Sequence, residues 1–393
     1  MIKKSFLALC LLTIATTSAF SEHLVSPASG SIKVLGRVDA SNPQRLKFDN
    51  PGVNFTIKFT ASSTIAVRFK GSPQTFFQAF VNGKPTLDAS GKQAIFTSIN
   101  DTTVVIASNL SKKQTYEVTL FKRTENLDNI PAEFMGFVID DGGKVLDAAP
   151  LYKQRRFEFL GNSITCAFGS ESKNKDSKFA PYTENNNLSY AHIIARAFNA
   201  DVQLVARSGR GVVRNYNDKD MLSTKYATTP KLFSRTFDSD STVLWDFKKY
   251  TPDAVVVNLG TNDYSTTPHP YKSLFIDGYL KLIAKIRAAY GSETKIFCVA
   301  GPMIDEPCYS YVKEMVDIQR QVGRDANIFF IGLPKALLSL DKDFGAAAHP
   351  GGDGQKKMAQ MVAPVISTVM GWDYSRSEMD DLKGSQDYYS REK

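Results

Sequence analysis

At Pro150 the sequence changes texture, and that change limits the folds open to it. From Ser31 to Asp140 apolar and polar residues alternate, the period that sends successive side chains to opposite faces of a strand. Strands are expected at Ile32–Val38, Val53–Thr60, Thr64–Phe69, Thr75–Val81, Ala94–Ile99, Thr103–Ala107, Thr115–Lys122 and Phe134–Ile139. Asn82-Gly83 between two of these runs is a tight-hairpin signal. Short strands at this spacing predict an antiparallel, jelly-roll-like β-sandwich. After Pro150 short apolar runs alternate with helical periodicity. Strands are expected at Phe157–Leu160, Val202–Ala206, Ala254–Asn258, Ile296–Ala300 and Ile328–Ile331. Amphipathic stretches lie between them at Leu188–Phe198, Leu274–Tyr290, Val312–Val322 and Gln355–Met370, the last with Asp353 placed to cap it. This is the pattern of a three-layer α/β domain with a five-stranded parallel sheet, whose ligands bind beyond the carboxyl ends of the strands.

The ends of the chain read differently. Lys3 and Lys4, an apolar run from Phe6 to Ile14, and small residues from Ala15 to Ala19 form a secretory signal peptide pattern, cleaved after about Ala19 or Ser21. The run is too short for a membrane span, which needs about 20 apolar residues. Beyond Trp372 the sequence is polar and unpatterned. The chain therefore divides into a signal peptide at 1–20, a sandwich at 24–148, an α/β domain at 150–372 and a polar tail at 373–393. A secreted or periplasmic monomer is expected, with no membrane contact once the leader is gone. The formal charge of +8 includes two lysines of that leader, and the other basic residues are scattered, so nucleic acid is not an expected partner. Cys166, Cys298 and Cys308 remain after cleavage, so at least one thiol is unpaired; whether Cys298 and Cys308 are bridged stays open.

Four loops face the carboxyl ends of the expected strands. The first strand runs into Gly161-Asn162-Ser163-Ile164-Thr165, where the serine also suits a helix N-cap. The second ends in Arg207-Ser208-Gly209-Arg210-Gly211, which fits a ligand-facing amide or a plain turn. Arg214 stands where a dinucleotide fingerprint would need its third glycine. The third ends in Gly260-Thr261-Asn262-Asp263, a turn or a side-chain amide aimed at a cleft. Before the last helix comes His349-Pro350-Gly351-Gly352. The chain has 4 histidines. His23 lies at the mature terminus and His192 on a helix, so His269 is the rival to His349 as a catalytic base. The glycine-rich loop after the final strand favours His349.

Ser163, Gly209, Asn262 and His349 stand in the order and the loops of the four blocks of the SGNH (GDSL-like) hydrolases, a resemblance that covers Phe157 to Met370. The preceding sandwich, Ser-Gly-Arg-Gly-Val-Val-Arg-Asn at 208–215, Gly-Thr-Asn-Asp-Tyr-Ser at 260–265 and Met-Gly-Phe-Val-Ile-Asp at 135–140 resemble carbohydrate esterase family 2 over nearly the whole mature chain. The resemblance implies an acetyl xylan esterase that acts on acetylated plant polysaccharides such as xylan and glucomannan. It implies Ser163 as nucleophile, His349 as base, and an oxyanion hole formed by the amides of Ser163 and Gly209 with the Asn262 side chain. No cofactor and no metal are expected. Two positions depart from the wider pattern. Asn162 replaces the aspartate of Gly-Asp-Ser, and Ala346 stands three residues before His349, where the triad acid belongs. Some family members are similar in using a Ser-His dyad oriented by a backbone carbonyl, and the same is expected here. Asp343, expected as a surface loop acid, is the weaker candidate orienter.

The Gly-x-Ser-x-Gly element of α/β-hydrolases is absent around Ser163. A carbohydrate-binding protein with an inactive hydrolase domain, and an esterase for other short-chain esters, are the alternative functions. Possible sugar contacts are Arg210, Asp263, Tyr264 and Trp245, with Tyr216, Tyr182 and Arg214 near the same loops.

Overall fold

The structure, a computed structural model, describes residues 22–380. The signal peptide pattern at 1–20 lies outside the described residues, as does the tail from 381 onward.

The sandwich half packs two antiparallel sheets face to face. One runs Glu22–Val25, Ala132–Asp140, Ile65–Lys70, Thr102–Ala107, with Leu46–Phe48 added onto Ala132–Asp140. The other centres on Asn54–Thr60, Thr115–Lys122 and Phe77–Val81, with Ile32–Leu35 and three two-residue strands at its margins. Alternation explains the core. Phe55, Ile57 and Phe59 leave one face of their strand and meet Val67, Phe69, Phe134 and Phe137 of the opposite sheet. Phe55 stacks on Phe134 at 3.9 Å. The Asn82-Gly83 hairpin forms as its sequence predicts, with φ of 49° and 75°, both left-handed as that turn demands.

The second half is a five-stranded parallel sheet in the order Ala200–Ala206, Arg155–Gly161, Ala254–Asn258, Lys295–Ala300, Ile328–Gly332. Its inner strands are buried on both faces, which is why they read as continuous apolar runs. The helices Lys272–Tyr290 and Cys308–Gln321 cover one face. Tyr190–Ala197 and Gly352–Met370 cover the other. The strand order reverses beside Arg155–Gly161, and such a switch point opens a crevice at the carboxyl ends.

Two expectations change, and one open question, the state of the cysteines, is answered. Asp353 lies in the first turn of the last long helix, and Gly351 occupies the N-cap. The segment just after Trp372 is ordered: Arg376–Asp380 is a helix, with Met379 buried at 4% exposure against the sheet's helical layer. A single apolar residue among charges carries no periodic signal, yet it suffices once a complementary surface is present. Cys166, Cys298 and Cys308 are all free and buried.

The two halves meet through buried polar groups. Lys33 pairs with Asp201 at 2.5 Å. Arg37 pairs with Glu158 at 2.9 Å, both side chains being fully buried. Arg37 also donates to the carbonyls of Phe233 and Arg235 at 2.6 and 2.7 Å and lies over the Trp245 ring. Ionic groups survive burial only when nearly every donor and acceptor is matched, and Arg37 comes close to that condition.

Candidate active site

The strand Arg155–Gly161 breaks abruptly into the short helix Ser163–Cys166. A Cβ at Gly161 would lie 1.9 Å from Thr165 Oγ1, so only glycine lets the helix fold back this tightly. Asn162 caps the helix, accepting the Ile164 amide at 3.0 Å through Oδ1. Its Nδ2 is buried with no hydrogen-bond partner among the described residues. Gln355, from the last long helix, braces the turn by donating to Ile164 O at 2.8 Å and accepting the Tyr190 amide at 2.9 Å. Ser163 is thereby held at the floor of a cleft of about 650 Å³.

His349 reaches Ser163 from 186 residues away, with Nε2 at 2.9 Å from Oγ. Its Nδ1 lies 3.2 and 3.1 Å from the carbonyls of Ala346 and Ala347. Both oxygens can only accept, so Nδ1 carries the proton and Nε2 is free to receive one from Ser163. Ala347 and Ala348 have φ of 50° and 56°, left-handed values that alanine rarely adopts. Their amides are anchored to Ser177 O at 3.0 Å and Lys175 O at 2.9 Å, which holds the strained turn in place. The Phe168 ring packs 4.5 Å from the imidazole. Burial pulls the His349 pKa below its ordinary 6.5, and the two carbonyl contacts only partly oppose this.

Gly209 and Asn262 line the same cleft. Gly209 has φ +77°, and its amide and that of Ser163 have no protein acceptor among the described residues. Asn262 Nδ2 donates to Arg210 O at 2.8 Å, which orients its side chain and leaves its second hydrogen for the cleft. Ser163, Gly209, Asn262 and His349 are therefore brought together. His269 is not among the cleft-lining residues and rests 5.6 Å from the Tyr264 ring. His192 is buried at the interface with the sandwich, its pKa pushed down to about 3 by burial.

The possible sugar contacts fare differently. Asp263 is fully buried and accepts the amides of Val212, Val213 and Arg214 at 2.8–2.9 Å, so it shapes the loop behind Gly209 instead of meeting a ligand. Burial pushes its pKa up to about 6. Tyr264 is buried and its hydroxyl donates to Pro270 O at 3.4 Å. Trp245 packs with Leu35 and Tyr250 between the two halves. Arg210 serves the cleft through its carbonyl, while its guanidinium lies over Tyr226. Arg214 is fully buried and braces Thr266, Thr267 and Asp218. Asp343 is buried, not a surface acid. It accepts from Ser339 N, Leu340 N and Lys357 Nζ and has no hydrogen bond to His349. Tyr216, 58% exposed, does line the cleft, together with Phe168 and Met303, which no sequence signal marked.

A parallel sheet of this order, with serine and histidine in contact beyond its carboxyl ends, defines a GDSL-like hydrolase fold, and residues 159–357 match the GDSL-like Lipase/Acylhydrolase family. Residues 34–150 match the family described as Carbohydrate esterase 2 N-terminal. The chain belongs to carbohydrate esterase family 2 and is a carboxylic ester hydrolase. It is 35% identical over 86% of its length to the cellulase/esterase CelE of Acetivibrio thermocellus, of which it spans 39%. It is 24% identical to an acetylxylan esterase / glucomannan deacetylase of Cellvibrio japonicus, over 93% of this chain and 96% of that one. A solved family two carbohydrate esterase from Clostridium thermocellum, in complex with cellohexaose, superposes with a TM-score of 0.77 at 34% identity, over 87% of this chain and 99% of that one.

Proposed function

We propose that the protein is a secreted esterase that removes O-acetyl groups from plant polysaccharides such as xylan and glucomannan by Ser-His acyl-enzyme hydrolysis. The 2.9 Å contact between His349 Nε2 and Ser163 Oγ in an open cleft carries this reading. Ser163 Oγ attacks the acetyl carbonyl as its proton passes to Nε2. The imidazolium then protonates the departing sugar oxygen, and the neutral imidazole activates water to release acetate. The Ser163 and Gly209 amides and Asn262 Nδ2 receive the charge on the carbonyl oxygen, each donor worth about 2.7–4 kcal/mol. Tyr216 is the exposed aromatic best placed to stack on a sugar ring. The names of the relatives support acetylated xylan and glucomannan as substrates. The leader sequence supports export. The test is acetate release from acetylated xylan, glucomannan and pectin by wild type and Ser163→Ala.

Two further outcomes follow from the site. A base must be neutral, and burial lowers the His349 pKa, so the acid limb of kcat/KM for 4-nitrophenyl acetate is expected to have its midpoint below 6.5. A midpoint above 6.5 in the pH profile contradicts the buried dyad. Because Asp343 does not touch His349, Asp343→Asn is expected to lower kcat less than about tenfold, its cost falling on stability through the Lys357 pair. A loss of several hundredfold in correctly folded protein would make Asp343 the missing acid.

A further inference from the structure

The loop that carries Gly209 is held from the sandwich half of the molecule. Glu125 follows the strand Thr115–Lys122 and is fully buried. Its Oε2 accepts the Ser208 amide at 2.7 Å, and its Oε1 accepts the Ser208 hydroxyl. On the other side, Gly209 O accepts the Tyr216 amide at 2.8 Å. The peptide between Ser208 and Gly209 is therefore fixed at both ends, while the Gly209 amide itself has no protein acceptor among the described residues.

We infer that Glu125 is a positioning residue for the acyl-transfer step: it reaches across the interface and sets the direction in which the Gly209 amide points. The inference rests on the reading of Gly209 as an oxyanion donor. The carboxylate is itself immobilised. Arg207 Nε lies 3.5 Å from its Oε2 and 3.2 Å from Asp238. The Glu125 amide donates to Glu184 Oε1 at 2.5 Å. Burial and the neighbouring Glu125 charge raise the Glu184 pKa well above the usual carboxylate range, and burial raises that of Glu125 as well. Both Glu125 oxygens face Ser208 as acceptors, one for its amide and one for its hydroxyl. An oxyanion donor must be in place before charge develops, because its contribution depends on avoiding reorganisation during the reaction. A carboxylate that grips the amide one residue upstream supplies that rigidity. It also gives the sandwich a part in catalysis without any contact with substrate.

The experiment compares Glu125→Ala, Glu125→Gln and Glu125→Asp in the full chain with 4-nitrophenyl acetate. Rates are divided by the fraction of sites that a serine-directed phosphonate labels at end point. Glu125→Ala is expected to lower kcat per labelled site about 30- to 100-fold, short of the loss for deleting a donor outright, with KM within about twofold. Glutamine keeps an acceptor for the Ser208 amide and can donate to its hydroxyl, so Glu125→Gln should stay within about threefold of wild type. Aspartate keeps the charge but falls one methylene short, so Glu125→Asp should be slower than Glu125→Gln, about tenfold below wild type. The Gln and Asp variants decide the matter even where the Ala variant does not fold. Aspartate matching wild type while glutamine fails would make Glu125 only a counter-charge for Arg207 and overturn the inference. So would Glu125→Ala rates per site within threefold of wild type, or a loss confined to KM. Failure of the esterase reading looks different: wild type and Ser163→Ala would then hydrolyse the ester equally.

Discussion

Ser163→Ala is expected to lower kcat for acetyl esters at least about ten-thousandfold while the protein remains folded and still binds glycan. The change removes one oxygen from a nearly buried side chain, 8% exposed, and leaves the helix it begins intact. The Asn162 cap and the Gln355 brace do not involve Ser163 Oγ, so the loop has no reason to move. What disappears is the hydroxyl that lies 2.9 Å from His349 Nε2 and that would form the acyl bond. Acetate release from acetylated xylan, glucomannan and pectin would measure the loss. Native binding to the same polysaccharides, compared by affinity electrophoresis, would show that the cleft survives. A variant that keeps more than about a hundredth of the wild-type rate would contradict the mechanism. A wild type that binds glycan but releases no acetate would instead favour a binding protein on a hydrolase fold.

Arg37→Met is expected to cost about 3–5 kcal/mol of stability, among the largest effects of any single substitution away from the cleft. Arg37 is fully buried and satisfies Glu158, Phe233 O and Arg235 O at once. Methionine fills much of the volume but leaves two carbonyls and a carboxylate without their strongest donor. Glu158 retains Gln203 Nε2 at 2.6 Å and Tyr290 Oη at 2.8 Å, which hydrogen-bond it without neutralising its charge. The double variant Arg37→Met/Glu158→Gln should therefore recover about half of the loss, because the uncompensated buried charge is gone. Urea midpoints for the two single variants and the double variant would measure this cycle. A loss below about 1 kcal/mol for Arg37→Met would mean that water reaches Glu158 or that the two halves stay joined without this pair.

The candidate site was far more legible than its supports. Ser163, Gly209, Asn262 and His349 sit where apolar strands stop or a glycine-rich loop starts, and a parallel sheet gathers such loops at one face. Asp263, Tyr264 and Trp245 lie in or near the same loops, yet their side chains turn into the core or the interface. Their residue types gave no hint of direction, because backbone amides can satisfy a buried acid, a backbone carbonyl a buried tyrosine, and apolar packing holds the tryptophan. Asp343 was misread for the same reason: its partners are two local amides and a lysine on the last long helix.

By itself the sequence determined the two architectures and the four loops of the cleft. It could do so because periodicity records the direction in which each side chain leaves its own backbone. The tertiary structure alone decided that the carbonyls of Ala346 and Ala347 orient His349, that Arg37 and Lys33 bind the halves together, and that Glu125 grips Ser208 from 83 residues away. The first depends on a left-handed turn that packing holds against the ring, and the others on partners brought close by the closing of the two halves onto each other. A distance set by packing leaves no period in the chain.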